Sequence, residues 1–251
     1  MVNARRPTPD PIARQLRQEA AFGCCKCGHP IVQYHHILPY ANEAHFRPAD
    51  MMALCPNCHS EATSGALTPE RQRYYKAHPF NFERGFARGL LTINESKLHV
   101  ALGGNEFTGG GHLIVVDEQP LITLEMNEFG GLDLSLKLYD VSNNLLLQIS
   151  QNEWLSGDPL PWDILASYQV LTVRQKKGKV ALDLDCRKCP IELKGSLWWG
   201  GRLIRIGPSS LSVDQTELNT VFAGCTFERT CLSLQTSPQP KVKIKPNSDQ
   251  S

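Results

Sequence analysis

No stretch of this 251-residue chain is apolar for long enough to cross a bilayer as a helix. The start, Met1-Val2-Asn3-Ala4-Arg5-Arg6-Pro7, is basic, but no apolar run of signal-peptide length follows it. Neither a membrane nor secretion is therefore expected, and the cytoplasm is the expected location. An excess of charge of one sign is missing too. With 26 Lys and Arg against 25 Asp and Glu, bulk charge alone cannot hold this protein to a nucleic acid. The first 99 residues carry 12 basic against 8 acidic side chains and the rest 14 against 17, a mild asymmetry. No convincing fixed-period repeat is present. Gly109-Gly110-Gly111 lacks the Lys-Ser/Thr and following helix of a phosphate-binding loop, so it reads as a turn. What is there, 41% apolar and 20% charged residues, fits a globular chain of one large or two modest domains.

Cysteine is the informative residue. Nine is an odd number, a poor disulfide framework in a chain without a secretion signal, and it points to reduced thiols or metal ligands. Five of the nine fall between positions 24 and 58. Cys24-x-x-Cys27 and Cys55-x-x-Cys58, separated by 27 residues, form two knuckles that can each present two thiolates to a tetrahedral Zn²⁺. Four thiolates close the shell, so this zinc would be structural. Cys25 could pair with Cys27 instead, but Cys24-x-x-Cys27-Gly28 has the usual knuckle form. Cys186-x-x-Cys189, with Cys225 and Cys231, could make a second site. Alternation argues otherwise: Val180, Leu182, Leu184 and Cys186 share one strand face, and Cys189, Ile191 and Leu193 share another, so both thiols read as core.

The N-terminal third is punctuated for helices. Asp10 as N-cap, Pro11 inside and Gly23 beyond predict a first helix with Ile12, Leu16 and Ala20 on one face. Ile31–Ile37 is β-rich and ended by Pro39, one arm of a hairpin, with residues 40–53 expected as loop. A short helix is expected from about Pro56 to Gly65, and another between Thr68-Pro69 and Pro79. From about residue 98 the pattern changes to short alternating runs: Leu113–Val116, Leu121–Met126, Leu132–Tyr139, Leu145–Ile149, Val170–Arg174, Val180–Cys186, Ile191–Leu193, Leu203–Ile206 and Leu211–Val213. Turns such as Asn143-Asn144 and Gly200-Gly201 separate them, which predicts an all-β domain of sandwich or barrel form. Trp198-Trp199 reads as packing beside the Gly-Gly turn more than as a base-stacking platform. The expected fold class is α+β, with a zinc-stabilised domain at 1–90, an all-β domain at 91–236 and a flexible tail at 237–251.

His35-His36-Ile37-x-Pro39, Asp50 and Leu54-Cys55-x-x-Cys58-His59 together resemble the zinc-containing form of the HNH motif of the ββα-metal nucleases, over about residues 22–65. The resemblance implies that His35 and His59 hold a catalytic divalent cation, Mg²⁺ or Mn²⁺ with Ni²⁺ or Zn²⁺ as alternatives, and that His36 is the general base. It implies hydrolysis of double-stranded DNA to 5′-phosphate and 3′-hydroxyl ends. The chemistry suits the residues, because an imidazole with a pKa near 6.5 can accept a proton at neutral pH. Cys58 and His59 differ by about 100° around a helix axis, so one can face the zinc while the other faces a cleft. Adjacent His35 and His36 can share that cleft only if their strand bends or ends there.

The pattern departs from the family twice. Asp50 stands where the motif carries Asn, and an ionised Asp only accepts hydrogen bonds. It is expected to take loop N–H groups or to orient an imidazole, so Asp50→Asn should keep or raise cleavage and Asp50→Ala lose it. Thr63 stands where some members carry a further ligand, leaving Glu61, Asp50 or water to complete the shell. His45 and Arg47 are candidate phosphate contacts. The β domain would serve a substrate, a protein partner or an oligomer, as in a restriction or antiviral defence effector. The alternative is a zinc-stabilised nucleic-acid-binding, sensor or scaffold protein without catalysis.

Overall fold

The computed structural model describes residues 7–84, 86–88, 91–92, 97–128, 131–156, 160–214, 216–217, 226–236 and 241–246. The chain is mixed α and β with strands predominating, and it divides into two compact units, Met1–Arg88 and Gly89–Ser251. The boundary falls just before the expected residue 90.

In the first unit, helix α1 (Asp10–Glu19) begins one residue earlier than its punctuation suggests. The Pro9 carbonyl already accepts the Ala13 N–H, at 2.9 Å. Pro9 is thus the N-cap, and Asp10 lies in the first turn, where its charge suits the helix dipole. The chain then turns through Ala21 and Phe22, both in the left-handed region. Gly23 is needed for a different reason: a Cβ there would lie 2.4 Å from Asn81 Nδ2 and 2.5 Å from the Gly28 carbonyl oxygen.

Strand β1 (Gln33–His36) pairs antiparallel with β2 (Met51–Leu54), placing His36 opposite Met51 and Gln33 opposite Leu54. Strand β2 occupies the end of the segment expected as loop. Met51-Met52-Ala53-Leu54 is buried throughout, so it shows no alternation from which a strand could be read. Helix α2 (Pro56–Thr63) follows at once, with proline in its first turn and Gly65 in the left-handed conformation just past its end. Helix α3 (Pro69–Ala77) begins after Thr68 as expected. The short α4 (Phe80–Arg84) is tied to the first knuckle: Phe80 N–H donates to the Cys25 carbonyl at 3.0 Å, and the buried Asn81 amide donates to the Ala21 carbonyl at 3.0 Å. Cys24, Cys25, Ile37, Met52, Leu54, Cys55, Cys58, Ala62 and Leu67 form the core of this unit, with Val32 and Tyr75 against it.

The second unit is made of strands. One sheet runs, neighbour to neighbour, through Lys241–Pro246, Thr230–Gln235, Gly111–Val116, Gln119–Met126, Gly131–Tyr139, Leu145–Ser150 and Glu153–Ser156. The other runs through Asp163–Ala166, Val170–Lys176, Lys179–Asp185, Ile191–Trp199, Arg202–Ile206, Leu211–Val213 and Thr216–Glu217, with His99–Leu102 pairing parallel to Ile191-Glu192. Successive strands are mostly joined by tight antiparallel turns, which is why the alternation was legible strand by strand. Leu132, Leu134, Leu136 and Leu138 are all buried while their neighbours are half-exposed. Each such leucine contributes about 1.5–3 kcal/mol of burial.

The segment expected as a flexible tail contains a strand. Lys241–Pro246 pairs antiparallel with Thr230–Gln235 at the sheet edge, with Lys243 and Lys245 exposed. Lysines on an edge strand discourage further pairing. A second correction concerns Cys189, which is exposed; only Cys186 and Cys231 are buried, and Cys225 lies outside the described residues. Cys189 follows the turn after Asp185, beyond the alternating strand. Trp198 Nε1–H donates to Gln175 Oε1 at 3.2 Å and Trp199 Nε1–H to Asp117 Oδ2 at 3.0 Å. Gly200 and Gly201 both have positive φ, the hairpin-turn geometry that alternation around them required.

Candidate metal centre and histidine cleft

The two knuckles meet. Cys24, Cys27, Cys55 and Cys58 bring their sulfurs within 4.8 Å of one another, the sole group of three or more potential metal ligands among the described residues. Cys27 Sγ lies 3.7 Å from Cys55 Sγ and 3.8 Å from Cys58 Sγ. A tetrahedron with Zn–S bonds of about 2.3 Å has edges of about 3.8 Å, so these thiols can hold a metal such as zinc with little movement. The first knuckle is a turn closed by Gly28 N–H to the Cys24 carbonyl and Cys24 N–H to the His29 carbonyl, both 2.8 Å. Gly28 has a φ of +76°, and a Cβ on it would lie 2.4 Å from Asn81 Oδ1 and 2.5 Å from the Phe80 ring.

Crowding of four thiols polarises the cluster. Cys27, the exposed member, is held down to about 5, chiefly by the Cys24 thiol donating to it. The Cys24 and Cys58 thiols are pushed up, Cys58 to about 12 by burial. The choice between Cys24 and Cys25 is settled by topology. Cys25 N–H donates to the Ala53 carbonyl at 2.9 Å, its side chain joins the core, and burial pushes its thiol up to about 11.

The same unit holds an open cleft of about 1040 Å³, whose lining includes Tyr34, His35, His36, Tyr40, His59, Thr63 and Gln72. Strand β1 ends at His36, so the two adjacent histidines can share the cleft. The His35 and His59 rings meet edge to face with centroids 5.1 Å apart. Burial and the His59 ring push His35 down to about 4, and burial also lowers His36. Both are therefore neutral at pH 7, the form in which an imidazole ligates metal or takes up a proton.

Hydrogen bonding then determines the tautomers. His36 Nε2 lies 3.0 Å from the His45 carbonyl oxygen, which can only accept, so Nε2 carries the proton and Nδ1 keeps the lone pair. His45 is buried, and both its nitrogens are used inside the loop. Nε2–H donates to the Leu38 carbonyl at 3.0 Å and Nδ1 accepts the Arg47 N–H at 3.2 Å. This expected phosphate contact instead stiffens the loop that positions His36. The other, Arg47, is exposed, and its guanidinium reaches Glu43 and Asp50.

The Asp50 carboxylate takes neither a loop N–H nor an imidazole. It accepts from Arg47 Nε at 3.0 Å and Arg73 Nη2 at 3.1 Å, and both guanidinium groups hold its carboxyl below the usual range. It is instead the Asp50 backbone carbonyl that accepts Ile37 N–H, at 2.8 Å, and extends the hairpin. Glu61 pairs with Lys26 and does not line the cleft. Thr63 does, while its hydroxyl donates to the His59 carbonyl at 2.8 Å. Gln72 escaped sequence reading altogether: a polar residue in the first turn of a helix gives no sign that it will be buried beside a histidine. No family model, no curated protein and no solved structure matches this chain.

Proposed function

We propose that this protein is a metal-dependent endonuclease of the HNH kind that hydrolyses DNA phosphodiester bonds. The observation that carries the reading is the cleft holding His35, His36 and His59 together, beside a four-cysteine cluster, on a β1–β2–α2 segment. His36 Nδ1, unprotonated and held by the Nε2–H bond to His45, accepts a proton from water as the water oxygen attacks phosphorus. The P–O3′ bond breaks and the leaving oxygen takes a proton from a second water, leaving a 5′-phosphate and a 3′-hydroxyl. His35 and His59 would hold a divalent cation, Mg²⁺ or Mn²⁺, whose chemistry there is neutralisation of negative charge on the phosphate and the leaving oxygen. Two neutral imidazoles make a borderline site, suited to Ni²⁺ or Zn²⁺ as well, and Mg²⁺ or Mn²⁺ would complete its shell with oxygen ligands. The four thiols, which would close the shell of one zinc, take no part in the reaction. The β unit is the part we assign to substrate or partner contact, as in a restriction or phage-defence effector.

The test is supercoiled plasmid incubated with the full chain and Mg²⁺, Mn²⁺ or EDTA. Nicking or linearisation with metal, lost in EDTA and lowered about 10²-fold or more in His36→Ala, is the expected result. No cleavage with any metal, or undiminished cleavage by His36→Ala, overturns the nuclease reading and leaves a zinc-supported binding module.

A further inference from the structure

Among the described residues, Gln72 is the one buried polar side chain lining the histidine cleft whose oxygen lacks a hydrogen bond. It is 3% exposed and stands in the first turn of α3. Its Nε2–H₂ donates to the Leu67 carbonyl at 2.7 Å. A carbonyl only accepts, so this bond fixes which end of the amide is nitrogen, and the oxygen must face the other way. That oxygen, Oε1, is fully buried without a hydrogen-bond partner, on a side chain that lines the same cleft as His35 and acts on its ring. A buried amide oxygen requires a donor, and in a neutral imidazole exactly one nitrogen is one.

We infer that Gln72 is a positioning residue for His35: its Oε1 accepts one ring N–H, which leaves the other ring nitrogen as a lone pair turned to the side of the cleft where His59 stands. The pairing repeats, with a different partner, what the His45 carbonyl does for His36. Each histidine of β1 is held in one tautomer by an oxygen from elsewhere in the fold. Histidines that ligate metal are commonly held this way, and loss of the outer partner commonly weakens metal binding 10–100-fold. Gln72 also links two elements. Through the Leu67 carbonyl it is bound to the segment that follows α2, the helix carrying His59. The tautomer itself is independent of the nuclease reading; its consequence for a cation rests on that reading.

The experiment uses the full zinc-loaded chain and three substitutions. In Gln72→Glu the acceptor toward His35 survives and the donor to Leu67 is lost. In Gln72→Met both are lost at similar volume. Long-range ¹H–¹⁵N spectra of the imidazoles report the His35 tautomer, with His35→Ala identifying its signals. Manganese binding is followed by calorimetry, and zinc content reports that the fold is intact. The expected result is a single His35 tautomer in the parent and in Gln72→Glu. Gln72→Met should show a tautomer mixture with Mn²⁺ binding weakened about 10–100-fold. If Gln72→Met keeps the single tautomer, or if Gln72→Glu behaves like Gln72→Met while retaining zinc, Gln72 supports the α2–α3 turn only and the inference falls. A fixed tautomer in a parent protein that binds no Mn²⁺ would uphold the Gln72–His35 bond and remove the metal reading of the cleft instead.

Discussion

The two units bury their apolar surface by different means. In the β unit the burial is repetitive: strand after strand turns one set of leucines, isoleucines and valines inward, as Leu132 to Leu138 do on Gly131–Tyr139. In the N-terminal unit the core cluster has eleven residues, and four of them are cysteines. A unit of fewer than ninety residues with so few large aliphatic groups falls where a single core is marginal and a metal or other staple is usual. Three of those cysteines, Cys24, Cys55 and Cys58, join the exposed Cys27 in the cluster that could hold such a staple, and the other unit carries no comparable cluster among its described residues.

Metal removal should separate the units most sharply. Structural zinc in small domains supplies about 10–16 kcal/mol of folding free energy. Chelation, or Cys58→Ser, is expected to abolish hydrogen-exchange protection across β1, β2 and α2 while the β sheets keep theirs. Equal protection everywhere in the zinc-free protein would show that the cysteine cluster is not what holds the first unit together.

Next in size, Leu134→Ala removes a side chain that is 1% exposed and should cost the β unit about 2–5 kcal/mol in denaturant unfolding. Bound zinc, measured by elemental analysis, should stay at one equivalent; loss of zinc here would break the comparison from the other side. Gly28→Ala is the matching change at the knuckle. Its left-handed backbone alone costs about 1–3 kcal/mol, and the added methyl meets Phe80 and Asn81. Weaker zinc retention against a competing chelator is the expected readout, and unchanged retention would mean that the knuckle tolerates a wider turn.

The smallest effect concerns acid. Asp185 is bound through both its carboxylate oxygens by Arg187, at 2.9 and 2.8 Å, and that guanidinium holds its carboxyl down to about 2. A carboxyl lowered in the folded state stabilises above its ordinary pKa near 3.9, and that contribution disappears as pH falls through about 2. The β unit should therefore lose about 1 kcal/mol relative to Asp185→Asn between pH 4 and pH 2, the scale of an accessible ion pair. Parallel acid-stability curves for the two proteins would remove this pair from the account.

How much of this was legible depended on the range of the interaction. The knuckles, the caps and stops of α2 and α3, and the alternating strands are local patterns, so their residues could be named from spacing. Strand β2 was not, because burial on both faces erases alternation. Residues 237–251 read as tail because three prolines and Lys241, Lys243 and Lys245 suggest solvent, and only the partner strand Thr230–Gln235 makes Lys241–Pro246 part of a sheet. In the cleft, His35, His36 and His59 could be singled out, while the partners that give each its state could not. His45 was expected to face phosphate and is locked inside its loop; Asp50 was expected to serve a histidine and instead joins Arg47 to Arg73.

The sequence by itself determined that four cysteines at knuckle spacing would sit beside a histidine pair, and that a strand-rich region would follow. Spacing along a covalent chain sets which ligand types a turn or helix start can present together. Only the tertiary structure decided that Cys24 and not Cys25 joins the four-sulfur cluster, which nitrogen of His36 carries the proton, and that Gln72 is buried in the cleft that His35 lines. Those outcomes depend on carbonyls and amides brought from 9 to 37 residues away along the chain, in the His45 loop and on α3. A hydrogen-bond partner is chosen by distance in space, which no local pattern encodes.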